Sequence, residues 1–376
     1  MKMIILNYGL HMCGVSRALV NFANAMADSG YDVTIKIETN NFELKNLLSS
    51  KVKVSLFFNE PKFFGLRIKG FLKVYHMIMR FLGKLPAFVL HKMIVKNKYD
   101  VEISFNRGMS AKIISGSRNK YSKKYIWVHS DYMKCLNPIA GFKTQQEATR
   151  AYLKYDKIIC VSEQSKVAFM QKYDIHSNVI VCNNIFDENQ IKLHAYQHSE
   201  MILKKPMIVA IGRLSKEKAY DLLLRTCKKL NDRGCIYDLY ILGDGEEKEK
   251  LLELKDTLEL SNVHFVGLKL NPYTYLNNAD IYVSSSIYEG LSTTTIEAMI
   301  LGIPIIVTDC TGMRDILCDG KYGIITDIDS ESLYSGISKL LHDDELRRKY
   351  ADLSRKRGEY YYKDITVKRI LEEIGD

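Results

Sequence analysis

Two glutamates, Glu289 and Glu297, stand on either side of seven uncharged residues in the stretch YEGLSTTTIEAM, where three consecutive threonines fall at a helix start. A strand-like run, DIYVSSS, leads in. Gly290 permits a turn, Ser292 suits a helix N-cap, and the helix continues through IEAMILG until Pro304 opens the next strand. β-Branched threonines are mediocre helix formers, but the free N–H groups and hydroxyls of a helix start form a ready anion site. Glu289 at the strand end and Glu297 about a turn and a half into the helix could border one pocket and accept hydrogen bonds from vicinal sugar hydroxyls. Equally, Glu297 could be a solvent-facing helical glutamate and Glu289 a partner of the helix dipole.

Cations open the same half of the chain. In PMIVAIGRLSKEKAYDLLLR, residues 206–225, a strand ends at Gly212, and Arg213 and Lys218 follow in the loop before a helix. Two positive charges there suit a diphosphate whose negative charge grows as a bond breaks, although ordinary surface charge would look the same. LGDGEE at 242–247 lacks the third glycine of a dinucleotide fingerprint and is mostly a tight turn. In the first half, YGLHMCGVSRALV places Gly14 where backbone could approach a ligand, with Arg17 at the helix start, or where a plain turn would serve. His129 closes the strand-like run KYIWVH and is open to a catalytic or a structural reading.

The elements that must position these residues are thirteen apolar runs: MIILN, DVTIKI, VKVSLFF, DVEISF, KYIWVH, KIICV, NVIVC, PMIVAIG, DLYILG, NVHFVG, DIYVSSS, PIIVT and GIIT. Most gaps hold helix-period segments, so the pattern predicts an α/β chain of doubly wound parallel sheets. Its 376 residues exceed one ordinary core. The reading is an N-terminal Rossmann-like domain over 1–186, a polar connection over 187–205, a second such domain over 206–342, and helices over 343–376 that brace the first. Ligands of such sheets bind beyond the carboxyl ends of the strands, which predicts a substrate cleft between the domains.

Composition narrows the class further. With 47% hydrophobic and 26% charged residues and six prolines, the chain is a folded globular one. The first apolar run is too short for a signal-peptide core, and no segment has the length of a membrane span. Eight cysteines without a CxxC pair, several within strand-like runs, predict buried reduced thiols in a cytoplasmic protein. The net charge is +10, and residues 61–98 carry nine basic residues and no acidic one, interleaved with apolar side chains. That makeup predicts a basic amphipathic segment on an anionic membrane surface. A solvated face is the plainer alternative, and no nucleic-acid motif accompanies the charge.

Together GRLSKEKAYDLLL, YILGDGE, NVHFVGLKLNPYTYLNNADIYVSSSIYEG, Glu289-x7-Glu297, EAMILGIPIIVTDCTG and GKYGIIT resemble the carboxyl-terminal half of retaining glycosyltransferases of family 4, which have the GT-B fold. The resemblance covers about residues 206–326; CGVSR, the His129 region, VSEQSK and NNIFD match more loosely. It implies that Glu297 holds the ribose hydroxyls of a nucleotide and Glu289 contacts the donor sugar. Arg213 and Lys218 would neutralise the donor diphosphate, and Gly14 would lie near the phosphates. Gly290, Leu291, Ser292 and Thr293 complete the donor loop, and His129 would lie near the reacting sugar carbon.

The implied activity is transfer of a sugar with retention, without a metal or cofactor, a UDP-sugar being favoured over a GDP-sugar as donor. A polyprenyl-diphosphate-linked saccharide would be the acceptor, at the inner face of the cell membrane, in capsule, O-antigen or exopolysaccharide assembly. A soluble or protein acceptor, or a clamp that binds without transfer, are the alternatives. Two departures bear on the phosphate loops: Cys13-Gly14 replaces a glycine pair, and Ala219 follows Lys218 in place of glycine. Asp315 stands where the family often carries a glutamate.

Overall fold

The computed structural model describes residues 1–57, 82–135, 137–197 and 206–375. All thirteen apolar runs form strands, and the chain divides into two compact units. In the first, β1 (Lys2–Asn7), β2 (Asp32–Ile37), β3 (Lys53–Leu56), β4 (Val101–Ser104), β5 (Lys123–Val128), β6 (Lys157–Cys160) and β7 (Val179–Val181) form a parallel sheet in the order β3-β2-β1-β4-β5-β6-β7. Met3, Ile4, Ile5 and Leu6 of β1 are fully buried. A continuous apolar run is what a central parallel strand requires, since helices cover its faces. The helix Gly14–Asp28 turns Leu19, Phe22 and Met26 inward, and the Phe22 ring lies 4.8 Å from that of Trp127.

In the second unit, β8 (Met207–Ile211), β9 (Asp238–Leu242), β10 (Val263–Gly267), β11 (Ile281–Ser284), β12 (Ile305–Thr308) and β13 (Ile324–Thr326) form a parallel sheet in the order β10-β9-β8-β11-β12-β13. Strand order reverses between β1 and β4 in one sheet and between β8 and β11 in the other. These reversals are the switch points at which open α/β sheets bind ligands. Each unit is therefore Rossmann-like, as the alternation of runs predicts.

The first unit comprises residues 1–161 and 165–184, and the second comprises 162–164 and the chain from Ile185 onward. The stretch read as an aperiodic connection contains a helix, Glu188–Ala195, started by the Asp187 side chain accepting from the Gln190 N–H at 3.0 Å. Ile191 and Ala195 are its buried positions, too few to give the sequence a visible period. The tail helices Asp344–Gly358 and Lys363–Ile374 are part of the second unit. Arg357 of the tail donates to the carbonyls of Ile316 and Asp315 at 3.0 and 2.9 Å, and the Lys363 N–H donates to Glu188 at 2.9 Å.

Five cysteines are buried and all eight are free thiols, but Cys13 is exposed, because it ends the loop that starts the helix Gly14–Asp28. Among the described residues no helix is long and apolar enough to cross a membrane. Of the basic segment 61–98, residues 61–81 lie outside the described residues. The remainder includes the helix Ala87–Ile94, which buries Leu90 and Ile94 and exposes Phe88 and Met93 beside Lys84, Lys92 and Lys96.

Candidate functional site

The switch point of the second sheet carries the charged residues singled out in the sequence. Beyond β8 come Gly212 and Arg213, then a short 3-10 turn, Lys216–Lys218, and the helix Tyr220–Asp232. Beyond β11 comes the loop 285–292 and the helix Thr293–Ile300. Hydrogen bonds lace the two loops together: the Ile287 N–H donates to the Glu217 carbonyl, and the Ser285 hydroxyl to that of Lys218, each at 2.8 Å. Gly243 of the neighbouring LGDGEE turn is required as glycine. Its φ is +151°, and a Cβ there would sit 1.9 Å from the Gly212 carbonyl oxygen. That stretch is thus a packing turn that fixes the height of the Arg213 loop.

Lys218 and Glu289 form an ion pair, with side chains 20% and 13% exposed. Ser286 donates a second hydrogen bond to the same carboxylate oxygen, Oε1, at 2.8 Å. Burial works against the Lys218 charge, but the Glu289 carboxylate and the hydrogen bond to it prevail and raise the ammonium above its ordinary pKa. Lys218 is therefore cationic at any physiological pH. Arg213 is held differently: its side chain is 70% exposed and reaches Glu246 at 3.3 Å. Ala219, after Lys218, adopts a left-handed conformation, φ +46°, ψ 47°. The backbone makes the turn a glycine would make, at a strain of about 1 kcal/mol.

Glu297 is buried, at 5% exposure, and its Oε1 accepts from the Tyr273 hydroxyl at 3.0 Å. The solvent-facing alternative is thereby removed; a carboxylate in such a place needs hydrogen-bond donors. The threonines divide their labour. Thr294 lies 2.7 Å from the Tyr282 hydroxyl, and Thr295, fully buried, donates to Ser292 at 2.8 Å. Thr293 is half-buried, and Ser292 makes no side-chain cap to the helix. Gly290 and Leu291 complete the turn, both buried.

In the first unit, Gly14 is the first residue of the helix Gly14–Asp28, preceded by Cys13, whose side chain makes no cap. His129 directly follows β5, with its ring 4.8 Å from that of Phe105. Burial depresses its pKa to about 3, against a hydrogen bond with the Phe105 backbone that raises it. The imidazole is neutral near pH 7, and its buried Nε2 has no hydrogen-bond partner among the described residues. Oδ1 of Asn7, at the end of β1, is in the same condition.

Residues 195–357 match the family model Glycosyl transferases group 1. An uncharacterized glycosyltransferase of Methanocaldococcus jannaschii is 29% identical over 307 residues, 70% of this chain and 72% of that protein. The N-acetylgalactosamine-N,N'-diacetylbacillosaminyl-diphospho-undecaprenol 4-alpha-N-acetylgalactosaminyltransferase of Campylobacter jejuni is 30% identical over 216 residues, 56% of this chain and 58% of that protein. The crystal structure of Anabaena HepE in complex with UDP and glucose has a TM-score of 0.77 at 17% identity, covering 100% of this chain and 99% of that one. At that identity the likeness is one of fold, the two-unit GT-B architecture.

Two side chains of this site escaped the reading of the sequence. Tyr273 holds Glu297, and Ser286 holds Glu289. Tyr273 directly follows Pro272 at the start of a short helix, Tyr273–Asn278, 24 residues before its partner, so no local spacing links the two. Ser286 lies three residues before Glu289 and was visible only as the end of the run DIYVSSS.

Proposed function

We propose that this protein transfers a sugar from a nucleotide-diphosphate sugar to a lipid-linked saccharide, with retention of configuration and without a metal. The observation that carries the reading is the pairing of a buried Glu297 with the Lys218–Glu289–Ser286 cluster at the switch point of the second sheet. Glu297 would take the ribose hydroxyls. Both hydrogen bonds to Glu289 fall on Oε1, so Oε2 would meet the donor sugar. Lys218, Arg213 and the N–H groups at the start of the helix Thr293–Ile300 would take up charge on the leaving nucleoside diphosphate.

In the transfer step the bond between the anomeric carbon and the diphosphate oxygen breaks, and a bond from an acceptor oxygen forms on the same face. The acceptor's proton passes to a phosphate oxygen of the leaving group. A neutral His129 suits a hydrogen bond to the sugar through Nε2 without adding charge. The acceptor class draws support from the Campylobacter relative, whose name specifies an undecaprenol-linked substrate. A UDP-sugar is the favoured donor, in keeping with the HepE complex. Place of action would be the inner face of the cell membrane, in cell-surface polysaccharide assembly, with the basic segment 61–98 on anionic lipid.

The deciding experiment is a thermal-shift screen against UDP, GDP, their sugar conjugates and NAD, since a ligand of the native state raises Tm by linkage. The expected result is stabilisation by uridine nucleotides, lost in Arg213→Ala and Glu297→Ala. Stabilisation that survives both substitutions would refute this placement of the donor. For the membrane, sedimentation with phosphatidylglycerol vesicles should fall when Lys84, Lys92 and Lys96 are changed to glutamine.

A further inference from the structure

The first unit shows an aromatic surface that none of the functional residues above accounts for. Tyr8 is the first residue beyond β1, which flanks the switch point of its sheet, and it is 47% exposed. Its ring stacks on that of His11, with centroids 5.6 Å apart and planes inclined by 21°. The loop that carries the pair is tied to the segment beyond β2. Thr39 donates to the Tyr8 carbonyl through both its N–H and its hydroxyl, each at 2.9 Å. The Leu10 N–H donates to the Asn41 carbonyl at 3.0 Å, the Leu44 N–H to that of Leu10 at 3.1 Å, and the Met12 N–H to the Glu43 carboxylate at 2.7 Å. An exposed ring on so well-tied a loop loses little entropy when something stacks on it.

We propose that Tyr8 and His11 form the stacking platform for a sugar ring of the acceptor, an assignment that rests on the transferase reading. A pyranose presents a patch of C–H groups on one face and hydroxyls around its rim. The platform matches both, with aromatic surface and a polar edge where His11 Nε2 and the Thr39 hydroxyl stand 3.5 Å apart. The nucleoside has its own carboxylate in the second unit, so the occupant here is the sugar and not the base.

Saturation-transfer NMR on the full chain tests this without needing the natural acceptor. The probes are methyl α- and β-glycosides of glucose, galactose, N-acetylglucosamine and N-acetylgalactosamine, with UDP in the same tube. The wild type should transfer saturation to the ring C–H protons of at least one glycoside. Tyr8→Ala should weaken that signal roughly fivefold, the size of one aromatic stacking contact, and Tyr8→Phe should keep it. UDP signals should be equal in all three proteins. A glycoside signal undiminished in Tyr8→Ala, no glycoside signal in the wild type, or loss of the uridine signals in Tyr8→Ala would each overturn the platform. Absence of UDP signals from the wild type overturns the donor reading instead, and the glycosides still decide the platform by the same criterion.

Discussion

The carboxyl edges of the two sheets are built from the same strand topology and finished in opposite ways. At the edge of the second sheet the polar side chains satisfy one another: Glu289 with Lys218 and Ser286, Glu297 with Tyr273, Thr294 with Tyr282. At the edge of the first sheet, Nε2 of His129 and Oδ1 of Asn7 are buried without a partner among the described residues. Each such atom costs about 1–3 kcal/mol. One edge thus meets its own hydrogen-bonding needs, whereas the other leaves two buried polar atoms without a protein partner among the described residues, at a cost that a bound ligand could relieve.

The sharpest way to break the contrast is Glu297→Ala, which should weaken UDP binding by roughly 10- to 100-fold, the range for a buried charged hydrogen bond. Calorimetric titration reads it, and an unchanged affinity would remove Glu297 from the site. Next comes Glu289→Gln, which leaves Lys218 half-buried without its countercharge and should cost about 1–3 kcal/mol in urea unfolding. Adding Lys218→Met should recover part of that loss; no recovery would mean the two side chains are not coupled.

The first edge is tested through pH. Unfolded, a histidine takes a proton below about pH 6.5; folded, His129 does so only near 3. The unfolded state therefore binds more protons within that window, and stability falls as pH drops through it. His129→Gln should flatten the slope of unfolding free energy between pH 6 and 4 by at most about 1.4 kcal/mol per pH unit. A slope equal to the wild type's would show that the folded ring is already charged. The smallest effect expected is from Ala219→Gly, which removes the left-handed strain and should stabilise the protein by about 0.5 kcal/mol after the entropy cost of glycine. A lowered Tm would mean that the Ala219 methyl group, in its buried position, matters more than the strain.

Much of this was legible in the sequence, for identifiable reasons. Parallel strands buried on both faces read as unbroken apolar runs, and all thirteen were visible. Arg213, Lys218, Glu289 and Glu297 stood out because they fall at strand ends and helix starts, where ligands of open α/β sheets bind, within an ordered series of motifs. What sequence could not supply was partnership. Nothing in the spacing shows that Lys218 binds Glu289, 71 residues away, or that Tyr273 holds Glu297, because only strand order brings these loops together. Nor could it show that the polar residues 187–197 include a helix, since two buried positions make no period.

The close bonding of the helix Glu188–Ala195 to the C-terminal tail has a consequence for biosynthesis. The bridge from Phe186 to Tyr362 and the hydrogen bond from Lys363 to Glu188 join residues about 175 positions apart. A ribosome releases the first partner of each pair long before the second. The first unit can close its sheet once β7 is made, and the opening helix of the second can pack on the helices Tyr273–Asn278 and Thr293–Ile300 well before the tail follows. The bonds of Phe186 and Glu188 must still wait for residues 362 and 363, so a message interrupted before codon 362 would yield a finished first unit joined to an incomplete second one, the kind of product that chaperones and proteases recognise.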